Sequence, residues 1–218
     1  MAILRKLSNC PFIVNVYEYY EGINESCIIT EYLAGSDLFN TIAHRTFELS
    51  ENKCKVISSQ ILEAISYMHS LRIVHMDIKP NNIMFSYKSR TNLHIKIIDF
   101  GLARELGGLG RAKCGIVGTV EFMSPEVVGG SYAVSASDLW SFGVMLFMMI
   151  SGGLSPFWAG NDYKTEARVL RGEYRLDLPH FDNVSQEAKD LISGLIILQP
   201  ESRLSADEGR ISISFNSI

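Results

Sequence analysis

One short stretch of the chain concentrates residue types that handle charge and protons. Residues 75–82 read HMDIKPNN, which brings a carboxylate (Asp77), an ammonium group (Lys79) and a carboxamide (Asn82) within six positions. A second carboxylate, Asp99, opens an Asp-Phe-Gly tripeptide seventeen residues after Asn82. Carboxylate and carboxamide oxygens are hard ligands that suit Mg²⁺, which proteins usually hold with one or two side chains plus phosphate oxygens. These residue types fit phosphoryl transfer, because that reaction depends mainly on positioning and charge neutralisation.

Two further motifs follow along the chain. Residues 118–126 read GTVEFMSPE and residues 138–143 read DLWSFG. With residues 75–82 and 99–101 they resemble, in order and spacing, the catalytic loop, the metal-binding D-F-G and the A-P-E segment of eukaryotic protein kinases. The resemblance extends from about residue 4 to residue 206, nearly the whole chain. A protein-kinase-like fold is therefore expected, with ATP and Mg²⁺ as cofactors.

The resemblance implies a role for each residue of this set. Asp77 would accept or orient the proton of a substrate hydroxyl, and Lys79 would neutralise charge on the transferring phosphoryl group. Asn82 and Asp99 would hold Mg²⁺. Thr119 would bridge the base and the lysine, an ordinary loop hydroxyl being the alternative. Lysine two positions after the aspartate is typical of serine/threonine kinases, so a protein Ser or Thr hydroxyl is the expected acceptor.

The nucleotide side is represented by fewer residues. Residues 30–33 (TEYL) resemble the strand end and hinge whose backbone holds adenine, with Thr30 at the gatekeeper position, and Met84 would form the floor under the purine. Asp37 resembles an acid that contacts ribose or a basic substrate residue, and it can equally be the N-cap of a helix. The residues expected to contact ATP are Glu31, Leu33, Asp37, Met84 and Asp99.

Other parts of the resemblance imply structural roles. Glu126 and Arg203 match a buried ion pair that ties the A-P-E segment to the lower lobe. Asp138 matches a residue of the central helix that holds the catalytic-loop backbone. A stacked apolar column linking the lobes would consist of Phe100, His75, Val16 and Leu4.

Two observations bear on regulation. The usual H-R-D of the family is H-M-D here, so Met76 replaces the arginine that normally pairs with a phosphate on the activation loop. Residues 102–118 contain no Ser, Thr or Tyr. The sequence therefore predicts that activation-loop phosphorylation does not switch activity.

The elements that must position these residues form an α+β pattern. Two β-like runs, 13–20 and 26–32, predict an antiparallel hairpin, and a short helix is expected from Leu38 after a cap at residues 36–37. A helix over 50–69 is indicated by apolar residues at Val56, Ile57, Ile61, Ile65 and Met68. Further segments are two short apolar runs (82–86 and 93–98), a buried central helix (136–151) and two surface helices (165–171 and 185–198). The expected division is an N-lobe remnant comprising the end of a helix, two strands and the hinge (1–33), a mainly helical kinase C-lobe (34–206) and a divergent tail (207–218).

Composition limits the class of protein. With 218 residues, 47% of them hydrophobic and 20% charged, the chain is not of the disordered, charge-rich type. Its net charge of −4 gives no reason to expect nucleic acid or an anionic membrane as partner. The four cysteines show no C-x-x-C spacing, and the most apolar stretch, 140–150, is about half of the ~20 residues that a membrane span needs. A cytoplasmic protein is expected.

Within kinases, residues 96–106, 118–128 and 185–196 look most like the myosin light chain kinase group, which includes the kinase domains of giant muscle proteins. That likeness adds a cytoskeletal or sarcomeric location as an alternative. The group is typically restrained by a C-terminal regulatory segment, which would lie outside this chain.

The pattern also departs from the family. No G-x-G-x-x-G occurs, and Lys6, the only lysine before Lys53, is in the wrong context for the strand lysine that grips the phosphates. The partner glutamate would fall just before Met1, which predicts a truncated N-lobe and exposed apolar surface on the remaining strands. Two functions stay open: a serine/threonine protein kinase, or a non-catalytic kinase-like scaffold or fragment.

Overall fold

The computed structural model describes residues 2–22, 25–44, 48–115, 118–130 and 132–214, the last without its side chain. The helices are α1 (Ala2–Lys6), α2 (Leu38–Ala43), α3 (Glu51–Ser70), α4 (Pro125–Val128), α5 (Ser135–Ser151), α6 (Asp162–Arg171), α7 (Gln186–Leu195) and α8 (Ala206–Ser214). The strands are β1 (Val16–Glu21), β2 (Ser26–Thr30), β3 (Ile73–Val74), β4 (Ile83–Phe85), β5 (Ile95–Ile97) and β6 (Arg104–Glu105).

The predicted hairpin is present as β1 and β2, which pair antiparallel with Tyr19 opposite Ile28. Residues 23 and 24 of the predicted turn lie outside the described residues. Both strands present large side chains to solvent, and Tyr17, Tyr20, Ile28 and Ile29 are all more than 40% exposed. The hairpin therefore contributes little to the hydrophobic core.

The core lies in the helical body. Helix α3 buries one face, with Ile57, Ile61 and Ile65 fully covered at the four-residue spacing of an amphipathic helix. Val56 lies in the predicted helix but is 49% exposed, because it precedes Ile57 by one position and so points about 100° away from the buried stripe. Helix α5 is buried along nearly its whole length, as its apolar sequence predicted.

One glycine permits the close packing of α5 against α7. A Cβ on Gly143 would lie 2.8 Å from the Leu195 Cβ and 2.9 Å from Ile196 Cγ1. Real side chains do not approach so closely, so glycine at the end of the D-x-W-S-F-G motif sets the separation of these two helices.

No described helix is long and apolar enough to span a membrane.

Two short antiparallel pairs hold the ends of the motif-bearing loops. Strand β3 pairs with β6, and β4 pairs with β5 with Ile83 opposite Ile97. The segment 75–82 leaves β3 and leads into β4, while residues 98–103 connect β5 to β6. The topology thus places the two loops that carry the expected catalytic residues beside each other.

The chain differs from the expected elements near its C-terminal end. The surface helix expected to reach residue 198 ends at Leu195, and a helix, α8, occupies part of the stretch expected to be a divergent tail. Ser205 and Glu208 form a capping box at its start, because Ser205 Oγ accepts from the Glu208 amide while Glu208 Oε2 accepts from the Ser205 amide. Residues 215–218 of the tail lie outside the described residues.

Candidate active site

A buried carboxylate on α5 fixes the backbone at the start of the loop that follows β3. Asp138 is fully buried and accepts hydrogen bonds from the amides of His75 and Met76, each at 2.9 Å. Met76 adopts the left-handed conformation (φ 67°), which two bonds to one carboxylate help to maintain. This is the role predicted for Asp138.

A third donor to the same carboxylate was not anticipated from the sequence. His69 Nε2 lies 2.9 Å from Asp138 Oδ2. Burial alone would raise the pKa of the Asp138 carboxyl, but the hydrogen bond and charge of His69, together with His75, hold that pKa below its ordinary value. Asp138 therefore stays ionised as an anchor. No spacing pattern linked His69 to it, since the two residues lie on different helices.

His75 connects the loop to the strand that precedes the D-F-G tripeptide. Its Nδ1 lies 3.2 Å from the Asp77 amide, which can only donate, so Nδ1 accepts and Nε2 donates to the Ile98 carbonyl at 3.1 Å. Burial lowers the pKa of His75, in keeping with this neutral tautomer. The ring meets Phe100 edge-on with centroids 4.6 Å apart. Two members of the expected apolar column are thus in contact.

Two of the predicted catalytic residues contact the Asp77 carboxylate, and a third, Thr119, contacts one of these two. Lys79 Nζ lies 2.9 Å from Asp77 Oδ2, and Asn82 Nδ2 donates to the same oxygen at 2.8 Å. Lys79 also donates to Thr119 Oγ1 at 3.2 Å. In the described part of the chain no donor contacts the other carboxylate oxygen, Asp77 Oδ1. One oxygen of this nearly buried carboxylate is therefore oriented and the other is available.

The residues expected to hold a cation form a suitable pair of ligands. The Asn82 carbonyl accepts from the Ile98 amide at 2.9 Å, so Asn82 lies next to Asp99. Asp99 has a left-handed backbone (φ 59°) and an exposed side chain whose Oδ1 accepts from the Gly101 amide. Since the Asn82 amide nitrogen serves Asp77, its amide oxygen remains for a cation. The described residues contain no cluster of three His, Cys, Asp or Glu suited to a metal, and two oxygen ligands completed by phosphate match Mg²⁺.

A cleft of about 980 Å³ opens beside these residues. It is lined by residues of α1, the end of β2, the segment 31–33, β4 and the D-F-G region. Four of the five residues expected to contact ATP line it: Glu31, Leu33, Met84 and Asp99. These four residues therefore share one cleft, and its occupation by a nucleotide stays a prediction.

Asp37 is the fifth residue of that set, and it does not line the cleft. It adjoins the cleft through an isolated bridge to Met84. Its Oδ1 accepts from the Asn40 amide at 2.7 Å, which makes it the N-cap of α2. The predicted alternative, that Asp37 is a helix N-cap, is therefore confirmed. A ligand that contacts Asp37 would have to share a carboxylate that already caps α2.

The A-P-E segment is anchored by a buried bidentate ion pair. Arg203 Nη1 and Nη2 each lie 2.8 Å from a Glu126 carboxylate oxygen, and the side chains are 0% and 6% exposed. Ser137 Oγ also donates to Glu126. Burial would raise the pKa of Glu126, but the bonds and charge of Arg203 hold it below its ordinary value. The predicted pair is confirmed.

The described part of the segment between the D-F-G tripeptide and Thr119 contacts residues 132 and 133. Ala112 pairs with Ala133 through both backbone bonds at 2.9 Å, and the Arg111 guanidinium lies 4.3 Å from the centre of the Tyr132 ring. Lys6, which did not fit the expected strand lysine, pairs instead with Glu105 at 2.8 Å. Residues 116 and 117 of this segment lie outside the described residues.

Sequence comparison relates the chain to one family. A family model described as "Protein kinase domain" matches residues 1–211. Myosin light chain kinase 3 of Danio rerio is 40% identical over 89% of this chain, and the smooth-muscle myosin light chain kinase of Gallus gallus is 38% identical over 93% of it. The chain spans only 27% and 10% of the lengths of these two relatives.

Structural comparison agrees. The twitchin kinase region from C. elegans superposes with a TM-score of 0.85 at 33% sequence identity. The match covers 95% of this chain and 38% of the twitchin chain.

Proposed function

The chain belongs to the protein kinase domain family, and we propose that it acts as a serine/threonine kinase that moves the γ-phosphate of ATP to a protein hydroxyl. Membership of that family and the protein-kinase-like fold, both predicted from the motifs, are confirmed by the family model and by the likeness to twitchin kinase. Protein kinases as a class use ATP and Mg²⁺ and act on protein substrates. The activity, cofactors and substrate of this chain are what we propose.

The observation that carries the proposal is the arrangement around Asp77. Its Oδ2 is fixed by Lys79 and Asn82, which leaves Oδ1 to accept or orient the proton of a substrate hydroxyl. A carboxylate so held does not have to reorganise when the hydroxyl attacks, which is the positioning effect that phosphoryl transfer depends on. Asp77 is therefore proposed as the catalytic base.

Lys79 is proposed to serve the phosphoryl group. Its ammonium lies between Asp77 Oδ2 and Thr119 Oγ1, so it is held at the position where the substrate hydroxyl would meet the γ-phosphate. Its positive charge would offset the charge on the equatorial oxygens during transfer. Thr119 would keep the lysine there through the hydrogen bond that it accepts.

Asn82 and Asp99 are proposed as the Mg²⁺ ligands, through the Asn82 amide oxygen and the Asp99 carboxylate. When bound, the ion neutralises phosphate charge and orients the γ-phosphate. The chain's part is to present one oxygen from the residue just before β4 and the other from the loop just after β5, and the bond between the Ile98 amide and the Asn82 carbonyl holds these two positions together.

The nucleotide is proposed to lie in the 980 Å³ cleft with its base against residues 31–33. The Glu31 carbonyl would accept from the exocyclic amine of adenine and the Leu33 amide would donate to the ring. In the described part of the chain the Leu33 amide donates to no protein group. Met84, which lines the same cleft, would pack under the ring.

The test is Mg²⁺-dependent transfer of labelled phosphate from ATP to a protein. Isolated myosin light chain is the first substrate to try, because the relatives carry that substrate in their names. Incorporation at Ser or Thr, mapped by mass spectrometry, is the expected result. Incorporation at Tyr only, or none, would contradict the proposal. By the same likeness we propose a cytoplasmic location with cytoskeletal or sarcomeric association, and restraint by a regulatory segment outside these residues.

A second function is favoured by two observations. No G-x-G-x-x-G occurs in the 218 residues, and the Lys6 ammonium pairs with Glu105. A kinase-like module that binds nucleotide or protein without transfer would keep the cleft and lose turnover. Nucleotide binding without any transfer would support this alternative.

A further inference from the structure

Three segments that are distant in sequence meet behind the hinge, in an arrangement that we call the hinge clasp (Asn15, Glu31 and Lys96). Glu31 Oε1 accepts from the Asn15 amide and from Lys96 Nζ, each at 2.7 Å. The Glu31 amide in turn donates to the Asn15 carbonyl at 3.0 Å. Lys96 also donates to the Ile13 carbonyl at 3.2 Å. Residue 31 is thus held through both its backbone and its side chain.

The clasp is well shielded from solvent. The side chains of Lys96 and Glu31 are 12% and 20% exposed, so their attraction is screened less than that of a surface pair. The segment that carries Asn15 is joined to β5 by further backbone bonds, from the Val14 amide to the Ile97 carbonyl and from the Ile97 amide to the Phe12 carbonyl. These bonds make the clasp part of a continuous, fixed assembly.

The clasp joins the two walls of the nucleotide cleft. Lys96 lies on β5, three residues before Asp99, the expected metal ligand. Glu31 belongs to the segment whose backbone is proposed to contact the base, and both Glu31 and Asp99 line the cleft. Thr30 Oγ1 donates to the Glu31 carbonyl at 3.2 Å, which occupies one of the two acceptor positions of that oxygen and leaves the other.

We propose that Lys96 is a positioning residue for purine recognition, acting through Glu31 to aim the carbonyl of residue 31 at the exocyclic amine of the base. This inference rests on the proposed function, since it requires adenine nucleotide in the cleft. Without Lys96, the Asn15 amide would be the one partner left to the Glu31 carboxylate among the described residues, and the carboxylate would turn toward solvent. The Glu31 carbonyl would then lose its fixed direction. The site would therefore discriminate less between adenine and a purine that lacks the exocyclic amine.

The experiment compares ADP with inosine diphosphate (IDP) by calorimetric titration in Mg²⁺. IDP carries a carbonyl where adenine carries the amine. In IDP an acceptor would therefore face the Glu31 carbonyl, which is also an acceptor, and no hydrogen bond could form. Wild type is expected to prefer ADP roughly tenfold or more, and Lys96→Met to lower that ratio to about threefold or less. Lys96→Arg, which retains the charge, is expected to restore most of the preference.

Controls separate this role from general stability. Lys55→Met breaks another partly buried ion pair, with Glu51, away from the cleft and should leave the ADP to IDP ratio unchanged. If Lys96→Met does not fold, Glu31→Gln weakens the same pair while keeping an acceptor for Asn15, and it should lower the ratio too. An unchanged ratio in the folded variants, or equal affinities in wild type, would overturn the inference. Wild type that binds neither nucleotide at millimolar concentration would instead overturn the proposed function.

Discussion

Asn82 donates its side-chain amide to Asp77 twice, to carboxylate Oδ2 and to the backbone carbonyl, each at 2.8 Å. The bonds join the beginning and the end of the loop between β3 and β4. They direct one carboxylate oxygen inward and leave the amide oxygen of Asn82 as its remaining coordinating atom. The proposed proton acceptor and a proposed metal ligand are therefore positioned by one contact.

Removing the second proposed ligand should abolish the effect of the metal on nucleotide binding. We expect Mg²⁺ to raise the affinity of wild type for ADP roughly tenfold, or about 1.4 kcal/mol, and to have no such effect on Asp99→Asn. Calorimetric titration of ADP in Mg²⁺ and in EDTA measures this difference. Asp182→Asn, an exposed acid outside the cleft, is the matched control. A full Mg²⁺ effect in Asp99→Asn would show that the ion is held elsewhere.

Breaking the buried pair between Glu126 and Arg203 should destabilise the fold. Glu126→Gln leaves a buried guanidinium without its counter-charge, and losses of about 3–5 kcal/mol are typical of such changes. Because the folded state lowers the pKa of Glu126, the pair stabilises wild type above the unfolded-state pKa of about 4.3 and loses that effect as pH falls through the folded value.

Urea unfolding between pH 7 and pH 3 checks both parts of this prediction. The gap between wild type and Glu126→Gln should be largest near neutral pH and should narrow below about pH 4.3. Equal stability of wild type and Glu126→Gln at pH 7 would contradict the assignment of this pair. A difference in stability that widens on acidification would also contradict it.

Gly143 should tolerate no side chain. A methyl group there would meet Leu195 and Ile196 at less than 3 Å, and overpacking of this kind costs about 1–3 kcal/mol. Gly143→Ala is expected to lower the unfolding temperature by several degrees. Gly108→Ala, where an added Cβ meets no atom within 4 Å, is the control and should unfold close to wild type. Equal losses in both would mean that the helix spacing is not set by this contact.

Phosphatase treatment should leave activity unchanged. The segment 102–118 has no hydroxyl to phosphorylate, Met76 cannot pair with a phosphate, and the segment is already held to residues 132–133. The measurement is transfer activity of cell-derived protein before and after phosphatase, with mass spectrometry to record the phosphate removed. Loss of activity on dephosphorylation would show that the switch lies elsewhere in the chain.

The part of the candidate site that lies within short motifs could be predicted from the sequence. Asp77, Lys79 and Asn82 lie within six positions, so their residue types and spacing could be read together. In contrast, Glu126 and Arg203 are 77 positions apart, and their ion pair was predicted only from the resemblance to protein kinases. The ligand roles of these residues and the division of the chain at residues 33 and 206 stay predictions.

Contacts that depend on packing alone could not be predicted. Lys96 and Glu31 are 65 positions apart and no motif joins them, and His69 reaches Asp138 from another helix. The exposure of Val56 depends on which face of α3 meets the core, and neighbouring apolar residues did not settle it. The start of α8 is different, since the capping box at Ser205 and Glu208 was a readable signal that was missed.

Phosphate transfer by wild type and by Asp77→Asn tests the proposed role of Asp77 most directly. Asparagine keeps the shape of the side chain and removes its ability to take a proton, so the variant should fold like wild type. We expect at least a roughly hundredfold lower rate of Mg²⁺-dependent transfer from ATP to Ser or Thr, with Lys55→Met equal to wild type. Equal transfer by wild type and Asp77→Asn, or none by either, would contradict the claim that this chain is a kinase with Asp77 as its base.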